Sequence, residues 1–75
     1  MKHPQGGRRF VICIHNRDCE DLELRKIYEV LPDHAAERDA YLRVVDESGE
    51  DYLYPSAYFL PINLSEDILK ALVAA

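Results

Sequence analysis

The sequence DAYLRVVDESGEDYLYPSAYFLPIN, residues 39–63, decides the fold class. Residues 41–45 are rich in β-branched and aromatic side chains, which favour strands. Gly49 then supplies the positive φ that a short hairpin loop needs. We expect residues 51–54 to return antiparallel to the first strand, so this part of the stretch predicts a β-hairpin.

The end of the same stretch predicts a closing segment. Pro55 has no N–H to donate to a neighbouring strand, so we expect the second strand to end there. Residues 56–58 are expected to form one tight turn, which leads into a short strand at residues 59–60. Tyr52 and Tyr54 alternate onto one face of their strand. This pair forms either part of the core, with the hydroxyls at its edge, or an exposed aromatic shelf.

The residues before this stretch predict further strands. Residues 10–15 are rich in β-branched and aromatic side chains and too short for a helix, so they indicate a largely buried first strand. Residues 16–21 follow as a polar, acidic loop. Apolar residues in residues 22–31 are spaced in a way that fits both a helix and a strand, and periodicity alone leaves both open. Asp33 is a suitable N-cap for a short helical turn through residues 34–38.

The two ends of the chain predict an arm and a helix. Residues 1–8 lack periodicity and offer few contacts to offset the entropy of ordering, so they predict a flexible N-terminal arm. Ser65 is a good N-cap for a last helix over residues 65–74. The apolar stripe of this helix has to be covered by the sheet, by a second copy or by a partner: Ile68, Leu69, Leu72 and Val73. We therefore expect residues 9–75 to form a single domain that includes the helix.

Size and composition indicate one small, acidic domain with a packed core. The chain has 75 residues, of which 48% are hydrophobic and 31% charged, as in globular proteins. Its net charge of −5 repels phosphate backbones, so nucleic-acid binding is disfavoured. No apolar run resembles a signal peptide or a membrane span. We expect a cytoplasmic protein without membrane association, in which Cys13 and Cys19 are reduced thiols.

The element order and two short segments resemble SH3 domains over residues 10–61. The order is strand, acidic loop, strand, strand, glycine hairpin, strand, Pro-Ser-x-Tyr turn and strand. Residues 54–59, YPSAYF, look like the hydrophobic-Pro-Ser-Asn-Tyr-hydrophobic segment of that family. Residues 22–26, LELRK, resemble its Leu-x-Phe-basic-basic segment. The resemblance implies a mainly β fold, a small five-stranded SH3-like barrel with a short C-terminal α-helix.

Most aromatic residues of the SH3 peptide groove are absent from this chain. SH3 domains hold proline-rich peptides between aromatic rings that stack on a polyproline helix. The two tyrosines of the family's Ala-Leu-Tyr-Asp-Tyr segment fall on Ile14 and Asn16, and the groove tryptophan falls on Ala40, with Tyr41 beside it. Pro55 and Tyr58 carry over. The resemblance therefore implies the fold without the usual groove.

Two blocks of the sequence are similar to those of a group of short bacterial proteins. The blocks are residues 28–33, YEVLPD, and residues 46–55, DESGEDYLYP. This similarity implies a bacterial origin and brings no activity with it.

We expect a non-catalytic protein-interaction module that binds a basic or apolar segment of a partner protein. Tyrosines offer a large contact area at low entropic cost, and an acidic rim steers a basic partner toward them. Further carboxylates of the loop and hairpin are expected on the same rim: Glu23, Asp46, Glu47, Glu50 and Asp51. The expected contact surface consists of Tyr41, Tyr54, Pro55, Tyr58, Asp18, Glu20 and Asp21. The alternative is a homodimer joined through the last helix or an unpaired sheet edge.

Metal binding and thiol chemistry are the less favoured alternatives. Cys13 and His15 are two residues apart on a strand and point to one face, and the loop is able to return Cys19 toward them. Structural zinc requires four ligands, and few residues are placed to complete the set. Thiol catalysis requires a base beside a thiolate, whereas acidic surroundings raise the thiol pKa. We therefore expect no enzyme and no cofactor, with Cys13 buried and His15 exposed.

Overall fold

The computed structural model describes residues 8–74, which form five strands, one 3-10 turn and two α-helices. All of the expected N-terminal arm except Arg8 lies outside the described residues. Arg8 pairs with Glu29 at 2.9 Å. The elements in chain order are β1 (Arg9–Cys13), β2 (Ile27–Leu31), α1 (His34–Arg38), β3 (Tyr41–Val45), β4 (Asp51–Pro55), η1 (Ser56–Tyr58), β5 (Phe59–Ile62) and α2 (Glu66–Ala74).

The five strands form one antiparallel sheet in the order β4-β3-β2-β1-β5. Strand β1 lies between β2 and β5 in the sheet: Phe10 is opposite Glu29 of β2 on one side and opposite Ile62 of β5 on the other. Within the described residues, β4 and β5 are the two edges and do not pair with each other. The expectation of a mainly β fold with five strands and a short C-terminal helix is confirmed.

The hairpin between β3 and β4 forms as the sequence predicts. Tyr41 lies opposite Pro55, and Val45 lies opposite Asp51. The amide of Gly49 donates to the carbonyl of Asp46 at 2.9 Å, and Gly49 has a φ of 86°. This is a three-residue loop in which a turn is followed by a left-handed residue, a common way to close a hairpin.

The stretch that fitted both a helix and a strand is divided by a turn. Arg25 adopts a left-handed conformation with a φ of 63° and donates its amide to the carbonyl of Cys13 at 2.7 Å. Neither a helix nor a long strand continues through this geometry, so β2 begins only at Ile27. Leu22, which precedes the turn, is 2% exposed and belongs to the core.

The core lies on one face of the sheet and includes the loop residue Leu22. The tyrosines of β4 separate: Tyr54 packs against the core, whereas Tyr52 is 49% exposed. Tyr54 therefore fits the prediction of a core position and Tyr52 fits the prediction of an exposed position, so neither prediction holds for the pair as a whole. The buried residues of the main cluster are Val11, Cys13, Leu22, Tyr28, Val30, Val44 and Phe59.

Both helices begin at the caps that the sequence indicates. The carboxylate of Asp33 accepts the amide of Ala36 at 3.0 Å, and Arg43 donates to the same carboxylate at 2.8 Å. The hydroxyl of Ser65 accepts the amide of Ile68 at 3.2 Å. In α2, Leu69 is buried, whereas Ile68 and Leu72 are exposed. The side chain of Val73, also expected in this stripe, lies outside the described part.

Replacing Ala40 with glycine is expected to stabilise the fold. Ala40 connects α1 to β3 with a φ of 66°, a conformation that costs an L-residue about 1–2 kcal/mol and glycine almost nothing. Glycine loses more chain entropy on folding, which leaves a net gain of about 0.5–1 kcal/mol. Urea denaturation measures the change. The matched substitution Gly49→Ala is expected to shift stability in the opposite direction, and the same sign for both would contradict this interpretation.

Candidate binding surface

Three of the residues expected at a contact surface lie on β4, on its partner strand and on the turn that follows. Tyr41 begins β3 and is 43% exposed. Pro55 lies directly opposite it at the end of β4 and is half-buried. The turn η1 begins at Ser56, directly after Pro55, ends at Tyr58 and contacts β3. We call Tyr41, Pro55 and Tyr58 the tyrosine surface.

Backbone hydrogen bonds hold η1 between two loops. The amide of Ser56 donates to the carbonyl of Ala40 at 2.9 Å, which ties the start of η1 to the turn before β3. The amides of Ile14 and His15 donate to the carbonyl of Tyr58 at 2.8 and 3.3 Å. These bonds also explain why β1 ends at Cys13, earlier than the sequence predicts. The turn η1, which carries Tyr58, is therefore held by main-chain contacts at both of its ends.

The ring of Tyr58 lies beside the start of the acidic loop. Its hydroxyl reaches the carbonyl of Arg17 at 3.5 Å, and its ring centroid is 6.0 Å from that of His15. Ile14 is 38% exposed and precedes His15 in the chain. The side of Tyr58 that faces the loop is thus lined by the imidazole of His15.

The acidic loop carries Asp18, Glu20 and Asp21 as exposed side chains. Contacts inside the loop hold its shape, since the side-chain amide of Asn16 donates to the carbonyl of Leu22 at 3.1 Å. The carbonyl of Asp21 accepts the amide of Glu47 at 3.0 Å. The acidic loop and the hairpin tip therefore meet, as expected for a shared acidic rim.

Asp46 does not belong to this rim, which corrects the sequence-based expectation. It is 5% exposed, and its carboxylate accepts the hydroxyl of Tyr54 at 2.6 Å and the amide of Ser48 at 2.9 Å. Burial raises the pKa of Asp46, but the hydrogen bonds from Ser48 and Tyr54 outweigh it and hold the pKa below its usual value. Burial and the Asp46 carboxylate raise the pKa of Tyr54.

Tyr54, expected at the contact surface, thus directs its hydroxyl toward Asp46. An aspartate followed two residues later by a serine in a turn is typical of a side chain that bonds to its own backbone, and D-E-S-G shows this pattern at residues 46–49. That pattern indicates the bond from Asp46 to the Ser48 amide, but not the burial of Asp46 or its bond with Tyr54.

Glu47 is likewise occupied by neighbours. Lys26 lies 2.7 Å from its carboxylate, and the hydroxyl of Tyr28 donates to the same oxygen at 2.6 Å. The Lys26 contact, followed by that of Tyr28, lowers the pKa of Glu47. The Tyr28 hydroxyl also accepts the amide of Glu23 at 2.8 Å. Tyr28 therefore joins the acidic loop, β2 and the hairpin, which a sequence pattern does not indicate.

We expect stability to fall on both sides of a neutral plateau. The pKa values of Asp46 and Glu47 are lowered by folding, so their contribution is present above the unfolded value of about 4 and is lost as the pH falls through the folded values. Burial, followed by the carboxylate contacts, raises the pKa values of Tyr28 and Tyr54, so their contribution is lost as the pH rises above about 10. Melting temperatures from circular dichroism at pH 2–11 measure both limbs. A melting temperature that rises on acidification below pH 4 would contradict the carboxylate contribution.

Cys13 and His15, two of the weak candidates for metal or thiol chemistry, lie in different environments. Cys13 is fully buried and its thiol donates to the carbonyl of His15 at 3.1 Å, while the His15 side chain is exposed. Burial raises the pKa of both thiols, and the nearby Asp18 raises that of Cys19 further. Within residues 8–74 no group of three or more histidine, cysteine or acidic side chains is placed to hold a metal ion.

Comparisons of the chain with protein-family models, curated proteins and solved structures find no match. In the described part of the chain, no helix is both long and apolar enough to span a membrane. Function is therefore inferred from the geometry of the chain itself.

Proposed function

We propose that this chain is a non-catalytic protein-interaction module that binds a basic or apolar segment of a partner protein through the tyrosine surface. The observation that carries the proposal is the position of exposed Tyr41 directly opposite Pro55, with η1 joining Pro55 to Tyr58. Aromatic rings and proline provide a large apolar contact area with few rotatable bonds. Because main-chain hydrogen bonds hold η1 in place, little ordering entropy is lost on binding.

The acidic loop supports a basic residue in the partner segment. Asp18, Glu20 and Asp21 are exposed, and the Tyr58 hydroxyl contacts the same loop at Arg17. Exposed carboxylates beside an apolar surface raise the encounter rate with a positively charged segment and disfavour acidic ones. Binding is therefore expected to weaken with added salt.

We further propose that the sheet belongs to an SH3-like barrel of cytoplasmic, bacterial origin. The antiparallel order β4-β3-β2-β1-β5, the glycine hairpin and the 3-10 turn after Pro55 support the barrel. The free thiols of Cys13 and Cys19 suit a reducing compartment. The exposed aliphatic side chain of Ile14 in place of an aromatic ring favours an apolar segment over a polyproline helix.

Replacing Tyr41 with alanine is expected to weaken partner binding at least about tenfold, since truncation of a central aromatic contact residue commonly costs more than 1–2 kcal/mol. Peptides selected by the wild-type domain from a random displayed library provide the ligand, and calorimetry provides the Kd. The matched control is Tyr52→Ala, which removes an equally exposed tyrosine from β4 outside the tyrosine surface. Equal affinities for wild type and Tyr41→Ala, or selection of acidic peptides, would contradict the proposal.

A second candidate function is self-association through α2. Ile68 and Leu72 lie one helical turn apart and are 51% and 41% exposed, which leaves an apolar stripe for another copy to cover. Sedimentation at micromolar concentration is expected to show a dimer that Ile68→Lys dissociates. A monomer at all concentrations would remove this candidate.

A further inference from the structure

The two edges of the sheet differ in the backbone groups that they offer. In an antiparallel ladder, hydrogen-bonded pairs alternate with pairs that are not hydrogen-bonded. The amide of Asp46 donates to the carbonyl of Glu50 at 3.0 Å, which sets this alternation for the hairpin. Tyr52 and Tyr54 therefore direct their backbone groups toward β3. Asp51, Leu53 and Pro55 direct theirs to the other side, which we call the outer edge of β4.

The corresponding edge of β5 offers no free donor. The amide of Ile14 donates to the carbonyl of Tyr58, so the same alternation places Phe59 and Pro61 with their backbone groups directed away from β1. Pro61 has no N–H, and the amide of Phe59 donates to the carbonyl of Ser56. This edge is therefore protected against the addition of another strand.

The outer edge of β4 lacks such protection. Among the described residues, no hydrogen bond reaches the amides of Asp51 and Leu53. The side chain of Leu53 is 46% exposed, and β4 carries no lysine. Edge strands are usually blocked by lysine, by an internal proline or by a bulge within the strand, and here only Pro55 at the last position serves this purpose. Two donors and an apolar side chain are thus available to a further strand.

Negative charge surrounds this edge. The side chains of Glu50 and Asp51 are exposed at its start. Arg43 contacts Asp33 at 2.8 Å and Asp51 at 3.0 Å, so one positive charge is shared between two carboxylates. The remaining charge favours a basic strand. A second copy is disfavoured, because each copy has a net charge of −5 and Pro55 lacks one of the donors that antiparallel pairing of two β4 strands requires.

We propose that the outer edge of β4 accepts an extended segment of a partner protein in which apolar and basic side chains alternate. The segment pairs with the free amides of Asp51 and Leu53, places apolar side chains beside Leu53 on one face, and places basic side chains on the opposite face, on the side of Glu50. Main-chain pairing of this kind gives affinity, and the alternating side chains give specificity. The outer edge of β4 shares Pro55 with the tyrosine surface, but its two backbone donors, Asp51 and Leu53, lie outside that surface.

The probe is the peptide acetyl-Lys-Val-Lys-Val-Lys-Val-Lys-amide, with glutamate in place of lysine as the control peptide. Hydrogen exchange of single amides is followed by NMR. At a concentration ten times its Kd, the lysine peptide is expected to slow exchange of the Asp51 and Leu53 amides about tenfold. The glutamate peptide is expected to leave both unchanged.

Two variants test the edge itself. Leu53→Pro removes the outward N–H and is tolerated at an edge position that makes no bond to β3, so affinity is expected to fall about two- to tenfold. Leu53→Lys keeps the N–H but adds a positive charge that repels the lysine peptide, so its affinity for that peptide is also expected to fall. This second variant tests the edge if the proline variant fails to fold. Leu60→Lys is the matched control, because Leu60 is similarly exposed on the protected β5 edge.

Several results would overturn the proposal. The first is amide hydrogen exchange at Asp51 and Leu53 that the lysine peptide leaves unchanged. The second is an equal slowing of that exchange by the lysine and glutamate peptides. The third is an equal affinity of wild type and Leu53→Lys for the lysine peptide. Protection that rises with protein concentration without peptide would assign the edge to a second copy and overturn it as well. Tyr41→Ala is expected to leave this binding unchanged, which separates its failure from failure of the proposed function.

Discussion

Replacing Leu22 with alanine is expected to lower the free energy of unfolding by about 2–5 kcal/mol, a large part of the stability of so small a domain. Leu22 lies in a loop, yet it is 2% exposed and packs with the strand residues of the core. Truncation leaves a cavity that the loop backbone is poorly able to fill, because the Leu22 carbonyl is bound by the side-chain amide of Asn16. Urea denaturation gives the change.

The matched control is Leu24→Ala, two residues further along the same loop. Leu24 is 44% exposed, so its truncation is expected to change stability by less than about 0.5 kcal/mol. Equal effects of the two substitutions would mean that Leu22 does not anchor the loop in the core.

Replacing Asp46 with asparagine is expected to lower the free energy of unfolding by about 1.5–3 kcal/mol, the range for hydrogen bonds to a buried charged group. Asparagine keeps the shape of the side chain but loses the charge that accepts bonds from Ser48 and Tyr54. The amide also presents a donor where the structure requires an acceptor. Thermal unfolding at pH 7 measures the loss.

Acid provides an internal check on this prediction. Hydrogen bonds from Ser48 and Tyr54 hold the pKa of Asp46 below its usual value. As the pH falls through that lowered pKa the wild-type carboxyl becomes protonated, so the difference between wild type and Asp46→Asn is expected to shrink. Asp39→Asn is the control, because Asp39 is exposed beyond the end of α1. A difference that persists unchanged in acid would show that the substitution acts through shape and not through charge.

Local signals account for the parts of the fold that were predicted from the sequence. Gly49 specifies the hairpin loop through its backbone freedom, and Asp33 and Ser65 cap their helices through their own side chains. The division of residues 22–31 was not predictable in this way. It depends on the left-handed turn at Arg25, which is held by a bond to Cys13 of another strand.

The candidate site was predicted in part for the same reason. Tyr41, Pro55 and Tyr58 are brought together by the hairpin register and the turn after it, both of which have local signals. The internal roles of Tyr54 and Asp46 depend on tertiary burial, because an acidic turn residue is compatible with either environment until the surrounding chain is placed. The proposed chemistry of the partner rests on the charge and exposure of the surface around this site.

The most direct test is a ¹⁵N NMR titration of the wild-type domain with a library-selected basic peptide. Saturable chemical-shift changes are expected at Tyr41, along η1 and at residues 18–21 of the acidic loop, and Tyr41→Ala is expected to raise the peptide concentration that produces them at least about tenfold. Saturable changes confined to other parts of the sheet, with the Tyr41→Ala variant binding as tightly as wild type, would show that the tyrosine surface is not the binding site.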